Sequence, residues 1–132
     1  MEEKKLIIWS EGYSVGLKEI DMQHMKLVDL INKLYNLFLN KNYDDLKNIM
    51  KELKDYTLYH FSTEEKLFRE KKYSNELEHI AKHEELVNQL NTLINEFMNS
   101  PSILTMKTMT FLQKWLTNHI LKEDKKYVGY LN

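Results

Sequence analysis

Apolar residues recur at three- and four-residue intervals along four stretches of the chain, the spacing of helices that each bury one face. In the first stretch, from about Ile20 to Leu39, they are Leu27, Val28, Ile31, Leu34, Tyr35 and Phe38. Asn40-Lys41-Asn42 breaks this pattern. Asn42 suits the N-cap of a second helix, with Asp44 and Asp45 favourable at its positive end. The second stripe reads Leu46, Ile49, Leu53, Tyr56, His60, Glu64, Leu67. Tyr73-Ser74-Asn75 is the next break, and Asn75 with Glu78 has the spacing of a capping box. The third stripe carries His79, His83, Leu86, Leu90, Leu93 and Phe97. Asn99-Ser100-Pro101-Ser102 then opens a fourth helix, since proline is tolerated near a helix start. That helix shows Leu104, Met109, Leu112, Leu116 and Ile120, and fades near Tyr127 with Gly129 beyond it.

Four striped helices joined by short breaks can bury their stripes only against one another, and short connections make neighbours antiparallel. The pattern predicts an all-α protein: an antiparallel up-down-up-down four-helix bundle over residues 20–127. Residues 1–19 hold Gly12 and Gly16 and no helical stripe, so they are expected to form an extended N-terminal arm. The 132 residues suffice for one core, which makes 1–132 a single domain.

Composition narrows the chemistry. Three glycines and one proline are too few for an all-β chain with its frequent turns. The absence of cysteine excludes disulfides, thiolate-bound metal and a thiol nucleophile. Nineteen basic against twenty acidic residues leave a net charge of −1, no field for nucleic acid or anionic lipid. The longest apolar run, Leu6-Ile7-Ile8-Trp9, is far below the roughly 18 residues of a membrane span. The mixed-sign start Met1-Glu2-Glu3-Lys4-Lys5 predicts no signal peptide. The expectation is a soluble, cytoplasmic, monomeric protein.

The stripes themselves are unusual. An ordinary bundle fills them with aliphatic residues, yet here His24, His60, His79 and His83 lie on or beside them and His119 falls within the last apolar run. Glu64 lies four residues after His60 on the same face, as does His83 after His79. A lone histidine on an apolar face is more often a hydrogen-bonded core residue than a ligand. A buried carboxylate, however, must be paired or bound to a cation, and here histidines come from all four helices. Imidazole and carboxylate together suit iron, zinc, copper or manganese, and the lack of thiols disfavours copper(I). Two rival patterns fail. A zinc-protease helix needs glutamate after the first histidine, where this chain has Ile80. A ferritin-type di-iron site needs two Glu-x-x-His motifs, and only Glu76-Leu77-Glu78-His79 fits.

With these residues in view, the chain resembles the hemerythrin family, in particular its prokaryotic single-domain members. The resemblance is carried by Trp9, Tyr13-Ser14-Val15-Gly16 and Ile20-Asp21-x-Gln23-His24, running into Leu27-Val28-x-x-Ile31-Asn32. It continues in His60-Phe61-x-x-Glu64-Glu65, His79-x-x-x-His83 and Trp115-Leu116-x-x-His119-Ile120-x-x-x-Asp124-x-x-Tyr127. It implies two non-haem irons joined by an oxo or hydroxo bridge. One would be held by His79, His83 and His119, the other by His24 and His60, with Glu64 and Asp124 bridging both. Glu64 rather than Glu65 is implied, and helical geometry agrees because Glu64 shares a face with His60. Glu65 is left to solvent or to a supporting role. Asp124 rests on the resemblance alone, since five residues after His119 places it about 140° around an ideal α-helix.

The resemblance also implies function. Five nitrogens, four carboxylate oxygens and two bonds to the bridge leave one of twelve coordination positions open, on the iron with two histidines. In the family, dioxygen binds there reversibly, for carriage, storage or delivery, and the protein is not an enzyme. Leu27, Phe61, Trp115, Leu116 and Ile120, one helical turn from the ligands, are the expected oxygen-pocket residues. Alternatives are a di-iron redox or oxygen- or nitric-oxide-sensing protein with peroxidase-like activity, or an iron- or zinc-binding structural bundle.

Overall fold

The computed structural model describes residues 3–131. Helix α1 spans Lys18–Leu39, α2 Tyr43–Glu70, α3 Glu76–Asn99 and α4 Met106–Asn118, and no described residue lies in a strand. Helix α1 packs against α2 and α4, and α2 packs against α3, the neighbour relations of an up-and-down four-helix bundle. The fold class read from the stripes is the one observed.

Two apolar clusters fill the bundle. The larger includes Leu27, Ile31, Leu34, Leu53, Leu90, Phe97, Leu112 and Leu116. The smaller, at one end, joins Val15, Ile20, Phe68, Tyr73, Tyr127 and Leu131. The histidines fall between them. On α1, His24 lies between Ile20 and Leu27, and on α2, His60 and Glu64 lie between Leu53 and Phe68. A polar cluster is thereby walled by apolar packing above and below.

The N-terminal segment is tied to α1 by its backbone. Asn32 Oδ1 accepts from the amides of Leu6 and Ile7 (both 2.9 Å), and its Nδ2 donates to the Ile7 carbonyl. Gln113 of α4 donates to the Leu6 carbonyl. A short 3₁₀ turn, Glu11–Tyr13, interrupts the expected extended course, and α1 starts at Lys18 rather than Ile20. Asp21, in its first turn, accepts from Ser14 Oγ and the Val15 amide, which fixes the entry.

The ends of α1 and α2 share one device. The Asn42 amide donates to the Leu37 carbonyl and the Lys41 amide to Phe38, a Schellman closure with Lys41 left-handed at φ 55°. Lys72, at φ 52°, does the same for α2, with Tyr73 donating to Phe68 and packing its ring on the Phe68 ring. Asn42 caps α2 as expected, accepting from the Asp45 amide.

Three sequence expectations need correction. Asn75 precedes α3 but makes no capping bond, because its φ and ψ of −97° and 18° lie outside the extended region that a side-chain cap requires. Pro101 does not open the fourth helix. It starts a separate 3₁₀ turn, Pro101–Ile103, after which Leu104 turns inward and is buried. Thr105 and Thr108 then cap α4 reciprocally. The last helix does not run regularly to Tyr127: α4 ends at Asn118, a π-turn covers His119–Glu123 and a 3₁₀ turn covers Asp124–Tyr127.

Candidate metal centre

Each element supplies its share of one buried cluster: His24 from α1, His60 and Glu64 from α2, His79 and His83 from α3, His119 and Asp124 from the segment after α4. All seven side chains are buried. The π-turn explains how Asp124 arrives. Its amide donates to the His119 carbonyl across five residues, so the wider turn stacks Asp124 under His119 instead of carrying it around the helix.

The seven residues form two overlapping groups. Glu64, His79, His83, His119 and Asp124 bring one ligand atom each within 4.8 Å of one another, and so do His24, His60, Glu64 and Asp124. Glu64 and Asp124 belong to both. Asp124 Oδ1 lies 2.9 Å from His79 Nε2 and 3.0 Å from His119 Nε2, while Oδ2 lies 3.0 Å from His24 Nε2. Glu64 Oε1 lies 3.1 Å from His83 Nε2 and 3.3 Å from His60 Nε2.

These approaches are close but have the wrong angles for hydrogen bonds. The Nε2 atoms of all five histidines, Glu64 Oε1 and both Asp124 oxygens have no hydrogen-bond partner. Buried polar atoms are nearly always satisfied, so eight converging orphans of pure donor-ligand type fit metal cations between them.

The outer nitrogens are partly anchored. His60 Nδ1 meets Gln23 Oε1 at 2.7 Å, and His83 Nδ1 meets Glu65 Oε2 at 2.9 Å. A bonded Nδ1–H leaves Nε2 with its lone pair facing inward and fixes the ring. The Tyr127 hydroxyl donates to Glu64 Oε2 at 2.5 Å.

Burial pushes the Asp124 carboxyl up, but the facing His119, His24 and His79 outweigh it and hold it well below the usual carboxylate range. For Glu64, burial and the Asp124 charge act upward and are outweighed by His60 and His83, so it too is lowered. Burial pushes His60 down against the opposing pull of Glu64. His119 is raised, because Asp124 overrides its burial. Burial and the two carboxylates drive Tyr127 well up, keeping it a protonated donor. The site thus presents two anionic carboxylates and an imidazole shell.

Beside His24 and His60 is a small apolar cavity, about 10 Å³ in the space open to the centre of a water-sized sphere. Such a volume is about the minimum for one small molecule. Leu27, Phe61, Trp115 and Leu116 line it with Leu86 and the edges of His24, His60 and His119. Ile120 does not. It points into the larger apolar core, fully buried.

The family model described as the hemerythrin HHE cation binding domain matches residues 15–131. The chain belongs to the hemerythrin family. Among curated hemerythrins, the bacteriohemerythrin of Clostridium acetobutylicum is 28% identical, over 93% of this chain and 99% of its own. That of Methylococcus capsulatus is 32% identical, over 92% and 94%. A hemerythrin-like protein of Naegleria gruberi is also 32% identical, over 93% and 92%. A solved wild-type hemerythrin superposes with a TM-score of 0.88 at 30% identity, covering 96% of this chain and 98% of that one.

Within this hemerythrin fold, three contributors escaped the sequence reading. Gln23 and Tyr127 belong to the pattern that carries the resemblance, which attaches no role to them. Leu86 was read as stripe, although its place four residues before Leu90 and three after His83 puts it level with the cluster. Glu65, left between solvent and support, supports His83.

Proposed function

We propose that this chain binds dioxygen reversibly at a pair of iron ions and acts as a carrier or store rather than as an enzyme. His79, His83 and His119 would hold one ion, His24 and His60 the other, and Glu64 and Asp124 would bridge them. The observation that carries the reading is the sharing of Glu64 and Asp124 by both groups of converging ligand atoms. A single tetrahedral zinc has no use for seven donors. When bound, the iron pair would supply two electrons and one open coordination position for dioxygen.

The chain's own residues do the rest. Gln23 and Glu65 keep their histidines oriented, and Tyr127 holds Glu64 by a hydrogen bond to Oε2. The cavity beside His24 and His60 is walled by Leu27, Phe61, Leu86, Trp115 and Leu116, which exclude water. Its lining carries no carboxylate, hydroxyl or ammonium to deliver protons, which favours binding without turnover. A cytoplasmic setting and a monomeric state belong to the same proposal. Among the described residues, no helix is long and apolar enough to cross a membrane.

The test is metal content together with absorption. Protein reconstituted with ferrous iron should hold two ions per chain, and oxygen should produce a visible band that disappears when oxygen is removed. Glu64→Ala should abolish both. One zinc per chain unaffected by Glu64→Ala, or sustained turnover of oxygen by the wild type, would sink the reading.

A further inference from the structure

A second, larger hollow lies on the surface between α2 and α3, a cleft of about 420 Å³ whose lining includes Phe61, Ser62, Glu65, His83, Glu84 and Val87. It borders the cluster only at His83, and it shares one further residue with the small cavity on the other side. That residue is Phe61, 5% exposed. Its ring lies flat on the His83 ring, with centroids 3.8 Å apart and planes 6° from parallel.

Among the other walls of the small cavity, Leu86 is half-buried and packs against the larger apolar cluster. Leu27, Leu116 and His24 are buried, and the α3–α4 side is latched where Trp115 Nε1 donates to the Leu86 carbonyl at 3.1 Å. His83 is held at Nδ1 by Glu65, and its Nε2 faces Glu64 Oε1 at 3.1 Å. Phe61 is the wall residue of the small cavity that also faces the cleft; its ring has no polar tether, and the cleft beside it has room for a phenyl ring. The mouth carries Glu65 and Glu84 and no lysine or arginine.

We propose that Phe61 is the gate to the cavity, swinging into the α2–α3 cleft to admit small neutral molecules while Glu65 and Glu84 turn anions back. Side-chain rotations of this kind are fast on the scale of ligand exchange, and a mouth of one charge sign lowers the local concentration of like-charged solutes. The identity of the neutral guest as dioxygen rests on the function proposed above. The gate does not.

The chain has two tryptophans, so Trp9→Phe leaves Trp115, which lines the cavity, as the sole indole. In that full chain, loaded with zinc to leave emission undisturbed, quenching of Trp115 by dioxygen and by iodide reads entry directly. Phe61→Val should raise the dioxygen quenching slope about threefold, and Val87→Phe, which fills the cleft from the surface, should lower it about twofold. Glu84→Lys should raise the iodide slope about twofold and leave that of dioxygen unchanged. Unchanged dioxygen slopes in both Phe61→Val and Val87→Phe would overturn the gate, and an unchanged iodide slope in Glu84→Lys would overturn the selection against anions. The oxygen-dependent band of the iron-loaded protein is recorded separately. Its absence would count against dioxygen as the guest, whereas the quenching slopes alone decide the gate.

Discussion

Gln23 holds His60 through the nitrogen that faces away from the site, at 2.7 Å, and both side chains are buried. Such outer partners set the tautomer and aim of a ligating ring, and losing one typically weakens metal binding by about 10–100-fold. Gln23→Leu should therefore weaken iron binding by about that factor while leaving helix content unchanged, as a competition titration against a chelator would show. An unaltered affinity would mean that packing alone aims His60. The contrast between Gln23 and His60 also shows what was legible at this scale. Histidine on an apolar stripe announces itself, because it is the wrong residue for the place. Glutamine beside such a stripe does not, since its alternation with Met22 and His24 looks like an ordinary solvated edge. Asp124 is the sharpest case. On an ideal helix its neighbours Lys122, Lys125 and Lys126 argue for a solvated face, and only the π-turn turns it inward.

At the scale of elements, the apolar periodicity located all four helices because each buries one face, and burial sets that period. Their ends were less legible. Asn42 caps as expected, but Asn75 does not, and α4 begins at Met106 because burying Leu104 forces a bend after Pro101. A capping residue competes with such packing demands, which sequence spacing does not reveal. Two helix ends carry a correctable strain. Lys41 and Lys72 occupy the left-handed position of Schellman closures, where glycine is the favoured residue because a Cβ clashes there. Lys41→Gly and Lys72→Gly should each stabilise the fold by about 0.5–1 kcal/mol, the relief of a left-handed side chain less the entropy a glycine loses. Chemical denaturation of the metal-free protein reads this directly, free of any contribution from the ligands. A destabilising result would show that the lysine side chains make compensating contacts.

At the scale of the molecule, the bundle is built around converging polar atoms that have no hydrogen-bond partner and that a bound cation would satisfy, so metal, pH and stability would form one coupled system. Removing the metal leaves the five Nε2 atoms and three carboxylate oxygens without partners between two apolar clusters. Bound metal at about a thousandfold excess over its dissociation constant contributes about 4 kcal/mol, which for a domain of this size raises Tm by roughly 10–20 °C. Acid should erase that gain. Every site histidine must be neutral to bind, so protons compete with metal as pH falls through the histidine range. The metal-free fold weakens in the same direction. Burial holds His60 below its ordinary value, so below about pH 6.5 the unfolded chain takes up its proton first and is favoured. Glu64 and Asp124, held low in the fold, stabilise it above their unfolded values near about 4, and that contribution is lost as pH drops toward their folded values. His119 acts oppositely. Its raised value favours the fold below about pH 6.5 and is lost as pH rises, which opposes the His60 contribution. The expected record is a Tm difference between metal-loaded and chelated protein that is large at pH 7.5, narrows through pH 6 and vanishes near pH 5, with metal appearing in the filtrate over the same interval. A difference that stays constant down to pH 5, or metal release without a fall in Tm, would separate the cation from the fold and leave the buried orphans without a physical account.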